Sequence, residues 1–210
     1  MYLSMLELNP RSRQVQAELR DPYQMHRTLS RAFGDDPDAY AQARCLFRVD
    51  EMKGSGKMLA LLQSKAPPDW DRLPMRGYVA STPQVKEFTP TFINGQILRF
   101  RLRANPTSRR GRDGKRLGIY REDEQCVWLQ RKAESGGFTV LSVNTNPDRE
   151  LECMTADGFG TKFAVVTFDG VLRVNDPDLF LKTVESGIGT AKGFGFGLLS
   201  VAPERLGGGS

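Results

Sequence analysis

Histidine is almost missing from this chain: of its 210 residues only His26 is one. Cysteine is nearly as scarce. Cys45, Cys126 and Cys153 are odd in number and show no CxxC spacing, which argues against a disulfide framework or a structural zinc site. They read as buried thiols in a reducing cytoplasm. No apolar run approaches membrane-spanning length, and the N-terminus lacks the charged-then-apolar order of a signal peptide, so no membrane partner is expected. The familiar cofactor and nucleophile motifs are missing as well. There is no P-loop spacing, no dinucleotide fingerprint leading from strand into helix, and no GxSxG elbow. Asp35, Asp36 and Asp38 sit in a helix-breaking segment rather than in a carboxylate pair suited to metal or glycosidic chemistry. Neither a metal nor a cofactor is therefore expected.

What is present begins with a core and an uneven charge. Hydrophobic residues make up 39% of the chain and include 12 Phe, enough for one large domain or two small ones. The net charge is +5, modest in sum but concentrated. Arg99, Arg101, Arg103, Arg109, Arg110, Arg112, Lys115, Arg116 and Arg121 crowd one stretch in which Asp113 is the only acid. Arg11, Arg13, Arg20, Arg27 and Arg31 mark the first helical region. Such a distribution suits an anionic partner.

The pattern along the chain predicts a strand in MYLSMLEL and a helix over 11–20 with Asn9 as its cap. A second helix opens at Asp21-Pro22 and runs to about Phe33, burying Met25, Leu29 and Phe33. Strands follow at 43–50 and 57–64 around Gly54-Ser55-Gly56, with a helical turn near Trp70 and a short strand at 78–80. The proline-bearing stretch 81–90 reads as a boundary. Beyond it, QILRFRLRA alternates as a strand and 107–116 reads as a basic loop. A helix covers 122–135, with Cys126, Leu129 and Ala133 inward and Trp128 to the side. Strands are expected at 138–144, 150–154, 162–169 and 171–174, the last two joined by a turn at Asp169-Gly170. A helix over 176–186, a glycine-rich loop over 187–195 and a strand over 196–201 close the chain. Each half thus reads as strand, helix, strand, strand, helix, strand. The expected fold is α+β, two tandem ferredoxin-like (RRM-like) domains over 1–85 and 91–206, with 207–210 as a flexible tail.

Two segments offer chemistry. In DPYQMHRTLSRAF, Tyr23 and His26 are three apart on a helix and share a face. An imidazole that titrates near neutrality can pass protons to a ribose hydroxyl or a leaving oxygen; it can equally be an ordinary surface histidine. Tyr23 could bind a phosphate or simply pack. Arg27 and Arg31 could hold phosphates or form a solvated helix face. In GIGTAKGFGFGLLSVAP, the bare backbone around Gly189, Lys192 and Gly193 could cradle a phosphate or make a tight turn. The basic loop of Arg109, Arg110, Arg112, Lys115 and Arg116, with Arg103 just before it, favours binding, because same-sign charge at that density is costly to hold without a polyanion.

Three stretches, NPRSRQVQAELRDPYQMHRTLSRAF, RFRLRANPTSRRGRDGKR and GIGTAKGFGFGLLSVAP, in this order closely resemble the CasE family, the CRISPR-associated repeat-processing endoribonucleases of type I-E systems. The resemblance implies two ferredoxin-like domains and metal-independent cleavage of CRISPR repeat hairpins by 2′-hydroxyl attack, leaving a 2′,3′-cyclic phosphate. It further implies retention on the mature guide RNA among the other subunits of Cascade, the surveillance complex. By similarity Tyr23 and His26 would carry cleavage, Arg27 and Arg31 would hold the scissile strand, and the loop around Lys192 the RNA backbone. Some relatives have lysine where Arg31 stands, so a titrating amine is not available here. The alternative is a non-catalytic RNA-hairpin-binding subunit of a ribonucleoprotein.

Overall fold

The computed structural model describes residues 1–52, 54–73, 75–110, 115–148, 151–154 and 160–204; Arg112 and the terminal GGGS lie outside the described residues. The chain forms two compact units. One comprises Met1–Thr89 with Leu151–Lys162 and Ala191–Phe196, and the other comprises Pro90–Glu150, Phe163–Thr190 and Gly197–Ser210. The glycine-rich stretch, read as part of the second domain, is thus divided after Thr190.

The first unit runs β1 (Tyr2–Leu8), α1 (Arg13–Arg20), α2 (Pro22–Ser30), a 3-10 turn Arg31–Phe33, α3 (Pro37–Ala43), β2 (Leu46–Met52), β3 (Lys57–Ser64), a 3-10 turn Trp70–Arg72, the irregular turn α4 (Met75–Tyr78) and β4 (Gln84–Glu87). Its antiparallel sheet has the order β2-β3-β1-β4, the ferredoxin-like arrangement with first and third strands in the centre. Leu6 and Leu8 of β1, Met25 and Leu29 of α2, Phe47 of β2 and Leu62 of β3 make its core.

Local chemistry explains where this unit departs from the sequence reading. α1 starts at Arg13 because Ser12, not Asn9, caps it; the Asn9 side chain is engaged elsewhere, donating to the Gly77 carbonyl at 3.0 Å. Ala32 is buried beyond Leu29 while Phe33 is only partly buried, since the chain tightens into the 3-10 turn there. The supposed breaker starts a helix of its own: Asp36 accepts from the Asp38 N–H at 2.9 Å and Pro37 takes the first turn of α3. Residues 78–80 form no strand, only isolated bridges from Val79 to Leu8 and to Arg76. The strand is β4, inside the stretch read as a boundary. All four of its residues are exposed, so it has no apolar alternation to reveal it, and backbone pairing with β1 alone defines it.

The second unit contains β5 (Ile97–Ala104), the hairpin strands β6 (Thr107–Arg110) and β7 (Lys115–Gly118), α5 (Glu122–Ser135) and β8 (Phe138–Pro147). A small two-stranded sheet of β9 (Leu151–Met154) and β10 (Gly160–Phe163) follows in the chain, then β11 (Val166–Val174), α6 (Pro177–Ser186) and β12 (Leu199–Pro203). The antiparallel sheet of this unit has the order β12-β5-β11-β8, the ferredoxin-like order again. The basic loop is a hairpin, with Arg109 opposite Arg116 and Arg110 opposite Lys115. On α5 the buried stripe is Gln125, Trp128, Leu129 and Ala133, with Cys126 half-buried. Trp128 therefore belongs to the core, stacked 6.2 Å from Phe168.

The Asp169-Gly170 pair is not a turn. β11 passes straight through it, with Gly170 opposite Phe100 and Val143. A side chain at 170 would put its Cβ 2.1 Å from the Ser142 carbonyl oxygen, so glycine is there for close strand approach. No helix among the described residues is long and apolar enough to cross a membrane.

Gly170→Ala should therefore destabilise the protein by about 3 kcal/mol, the upper part of the overpacking range. Chemical denaturation of the variant beside wild type measures this.

Candidate functional site

The helix that carries His26 is fixed at both ends by short-range chemistry. Asp21 ends α1, its N–H donating to the Ala17 carbonyl, and starts α2, its carboxylate accepting from the Tyr23 N–H at 3.2 Å. Pro22 occupies the first turn, where no N–H is needed. Behind the two helices lies Glu18, a carboxylate only 4% exposed. It accepts from the Thr28 hydroxyl at 2.6 Å, the Tyr78 phenol at 2.5 Å and the Gln14 amide at 2.9 Å. A buried carboxylate survives only with such partners. Burial first, then the Glu18 carboxylate, pushes the Tyr78 phenol well above its ordinary range, so it stays a donor. The network locks α2 to α1 and to the chain at Tyr78, and so sets where the outer face of α2 points.

That outer face presents Tyr23 and His26, both half-buried, with ring centroids 6.4 Å apart and planes within 8°. The returning segment Ala191–Phe196 of the same unit closes over them. Phe194 stacks on Tyr23 at 5.9 Å. A Cβ at Gly193 would lie 3.3 Å from Cδ2 and Nε2 of the imidazole, so the bare backbone of Gly193 is what lies against the ring. Phe47 of β2 lies beneath, its ring 6.5 Å from that of His26, and also packs under Gly195, where an added Cβ would come within 3.2 Å of it. Gly195 has φ +79°, a conformation that favours glycine. Lys192 begins the 3-10 turn that brings Gly193 to the ring.

Burial holds the His26 imidazole below its ordinary value of 6.5, because the charged form loses solvation. At neutral pH the ring is therefore a neutral proton acceptor beside a phenol donor, with exposed Arg27 and Arg31 further along the same chain segment. Among the described residues no three His, Cys, Asp or Glu gather as a metal site.

The structure brings Tyr23, His26, Lys192 and Gly193 together. Gly189 lies in the second unit and packs against Trp128, where an added Cβ would sit 3.2 Å from the indole. Arg27 is exposed and reaches Gln24 at 3.5 Å. Arg103 is half-buried and paired with Asp148 at 3.0 Å. Arg109 and Arg116 are exposed on the hairpin, where Arg110 and Lys115 occupy paired backbone positions; Arg112 lies outside the described residues. Sequence reasoning missed Phe47, which looks like any strand aromatic, and the Glu18 network. A glutamate on the apolar side of α1, in line with Val15, was the available signal for the latter.

A family model described as CRISPR associated protein matches residues 1–203. The chain is 39% identical to the CRISPR-associated endoribonuclease Cse3 of Thermus thermophilus, over 97% of this chain and all of that one. It is 34% identical to the CRISPR system Cascade subunit CasE of Escherichia coli, with the same coverage. Among solved structures it resembles the endoribonuclease Cse3 bound to a 19-nucleotide RNA, with a TM-score of 0.87 and 39% identity over 97% of this chain and all of that one.

Two outcomes follow from the geometry. Tyr78→Phe leaves the buried Glu18 short of a donor and should cost about 1–3 kcal/mol in chemical denaturation. The His26 ring, followed by NMR in the free protein, should titrate below 6.5. Between the two values the unfolded chain binds more protons, so this group makes the protein less stable as the pH falls.

Proposed function

The chain belongs to the CRISPR-associated protein family whose model spans residues 1–203, and from that membership we propose how its imidazole pocket works. The protein is an endoribonuclease that cleaves CRISPR repeat hairpins in precursor transcripts and remains on the guide RNA as a Cascade subunit; in support, one relative is named an endoribonuclease and another a Cascade subunit. The observation that carries the reading is the Gly193 backbone lying against an imidazole whose burial keeps it neutral, beside a phenol.

In this mechanism the 2′-hydroxyl upstream of the cut attacks its own phosphodiester, and neutral His26 accepts the hydroxyl proton. The bond from phosphorus to the 5′-oxygen breaks, and that oxygen takes the proton of the Tyr23 phenol, which is restored from the protonated His26 through solvent. Arg27, Arg31 and Lys192 offset the negative charge that builds on the phosphorane. The products are a 2′,3′-cyclic phosphate and a 5′-hydroxyl, and no metal takes part. Arriving phosphates oppose the effect of burial on the imidazole, so docking itself retunes the ring towards protonation. A cytoplasmic location suits a transcript as substrate and the free thiols Cys45 and Cys126.

His26→Ala should slow cleavage of a repeat hairpin by about 10²–10⁴-fold while hairpin affinity holds. Wild type should cut equally fast in excess chelator, and end-group analysis should show the cyclic phosphate. Loss of cleavage on chelation would refute the metal-free route.

A further inference from the structure

The arginines of the second unit fall into two electrostatic classes. On β5, each exposed-face arginine has a carboxylate. Arg101 binds Asp169 through two contacts at 2.6 and 3.1 Å, Arg103 has Asp148 at 3.0 Å, and Arg99 lies 3.9 Å from Glu204. At the foot of the hairpin the situation reverses. Arg109 and Arg116 face each other across β6 and β7, a like-charge pairing that weakens a hairpin. They line a cleft of about 180 Å³ with Lys132 and Trp128 of α5 and with Gly189 and Thr190. Arg131 lines the adjoining hollow. None of these four cations has an acidic partner among the described residues.

The chemistry of the lining selects the ligand. Hydroxyls of Thr107, Ser108 and Thr190 add donors to the four cations. The indole offers no platform for a base. It is buried, with one face stacked on Phe168, the Lys132 ammonium over the ring at 6.0 Å from its centroid, and an edge covered by Gly189, which has φ +87° and sits where a Cβ would be 3.2 Å from the ring. With a water occupying about 30 Å³, the cleft has room for a phosphate and part of its sugar, and none for a duplex. All of these residues belong to the second unit, whereas Tyr23 and His26 belong to the first.

We propose that the cleft between the basic hairpin and α5 is a dedicated pocket for one backbone phosphate of the RNA, other than the scissile one, held by Arg109, Arg116 and Lys132. The proposal rests on the RNA-hairpin reading above and adds Lys132, Arg131 and Thr190 to the binding surface. The bound phosphate relieves the repulsion between Arg109 and Arg116 and so fixes the hairpin against α5 when RNA is present.

The test uses the full-length protein in a His26→Ala background, so that the RNA stays intact. Lys132→Ala and Arg116→Ala are compared with this parent for binding of a fluorescent repeat hairpin between about 50 and 200 mM salt. Each should weaken binding and make the salt slope shallower by about 0.7–1, and Lys132→Arg should restore most of both. A set of hairpins, each carrying one uncharged methylphosphonate, then locates the phosphate. At one position the modification should weaken the parent but leave Lys132→Ala unaffected, and that position should not flank the cut. Slopes equal to the parent, or no position with such coupling, overturn the pocket while leaving the nuclease reading intact. Coupling at the scissile phosphate overturns the pocket as a separate site. A parent that does not bind the hairpin at all removes both.

Discussion

The arrangement at the imidazole depends on one missing side chain. Gly193 lets the backbone of the returning segment lie against His26, and the position of that segment depends in turn on Phe47, which packs under both Gly195 and the imidazole. Any Cβ at 193 would press on the ring at 3.3 Å, and the ring has Phe47 behind it. The pocket is therefore a three-part contact among helix, strand and returning loop, none of which forms it alone. Burial by these neighbours also sets the protonation state of the ring. Packing and acid–base chemistry at this site are thus one constraint: loosening the loop would hydrate the imidazole and return it towards ordinary behaviour.

The opposite end of α2 is held with equal economy. Glu18 accepts from Thr28 on α2, from Gln14 on its own helix and from Tyr78 beyond β3. An apolar residue at 18 would pack there but would fix no direction. Gln14 and Tyr78 hold the buried carboxylate, and its bond to Thr28 orients α2, the helix whose outer face sets Tyr23 and His26 against Phe194 and Gly193. The cost is a stability that depends on every donor being present.

Much of this was legible in the chain, for identifiable reasons. The helices at 122–135 and 176–186 declare themselves by periodicity and, in the second, by Asp176 and Pro177 at its start. Tyr23 and His26 on a capped helix are visible from spacing alone. What was hidden required a partner distant in sequence. Asp169-Gly170 reads as a hairpin turn because the dipeptide is a common one, and only the Ser142 carbonyl on β8 reveals the glycine as a space for a neighbouring strand. β4 has no apolar residue facing inward, so its pairing with β1 leaves no trace in the pattern. Trp128 seemed peripheral to its helix because the stripe was centred one position off; Gln125 is buried too, its amide satisfied by the Ile119 carbonyl at 2.9 Å.

Charge density alone does not separate the arginines of the second unit. The run from Arg99 to Arg121 looks uniform in sequence, yet its members do different work. The β5 arginines meet carboxylates from β11 and beyond, and these pairs leave the sheet face close to neutral. Exposed pairs of this kind contribute little stability individually, but they remove the attraction that the bare cations would exert on a polyanion. The hairpin arginines sit opposite each other and opposite the cations of α5, which is unfavourable in the protein by itself. A fold that neutralises one set of arginines and leaves the adjacent set mutually repelling has placed its unfavourable electrostatics at the surface where an anion removes them. The stability conceded there in the free state is recovered on binding, so RNA should be held more tightly than the same cations, already paired, could hold it.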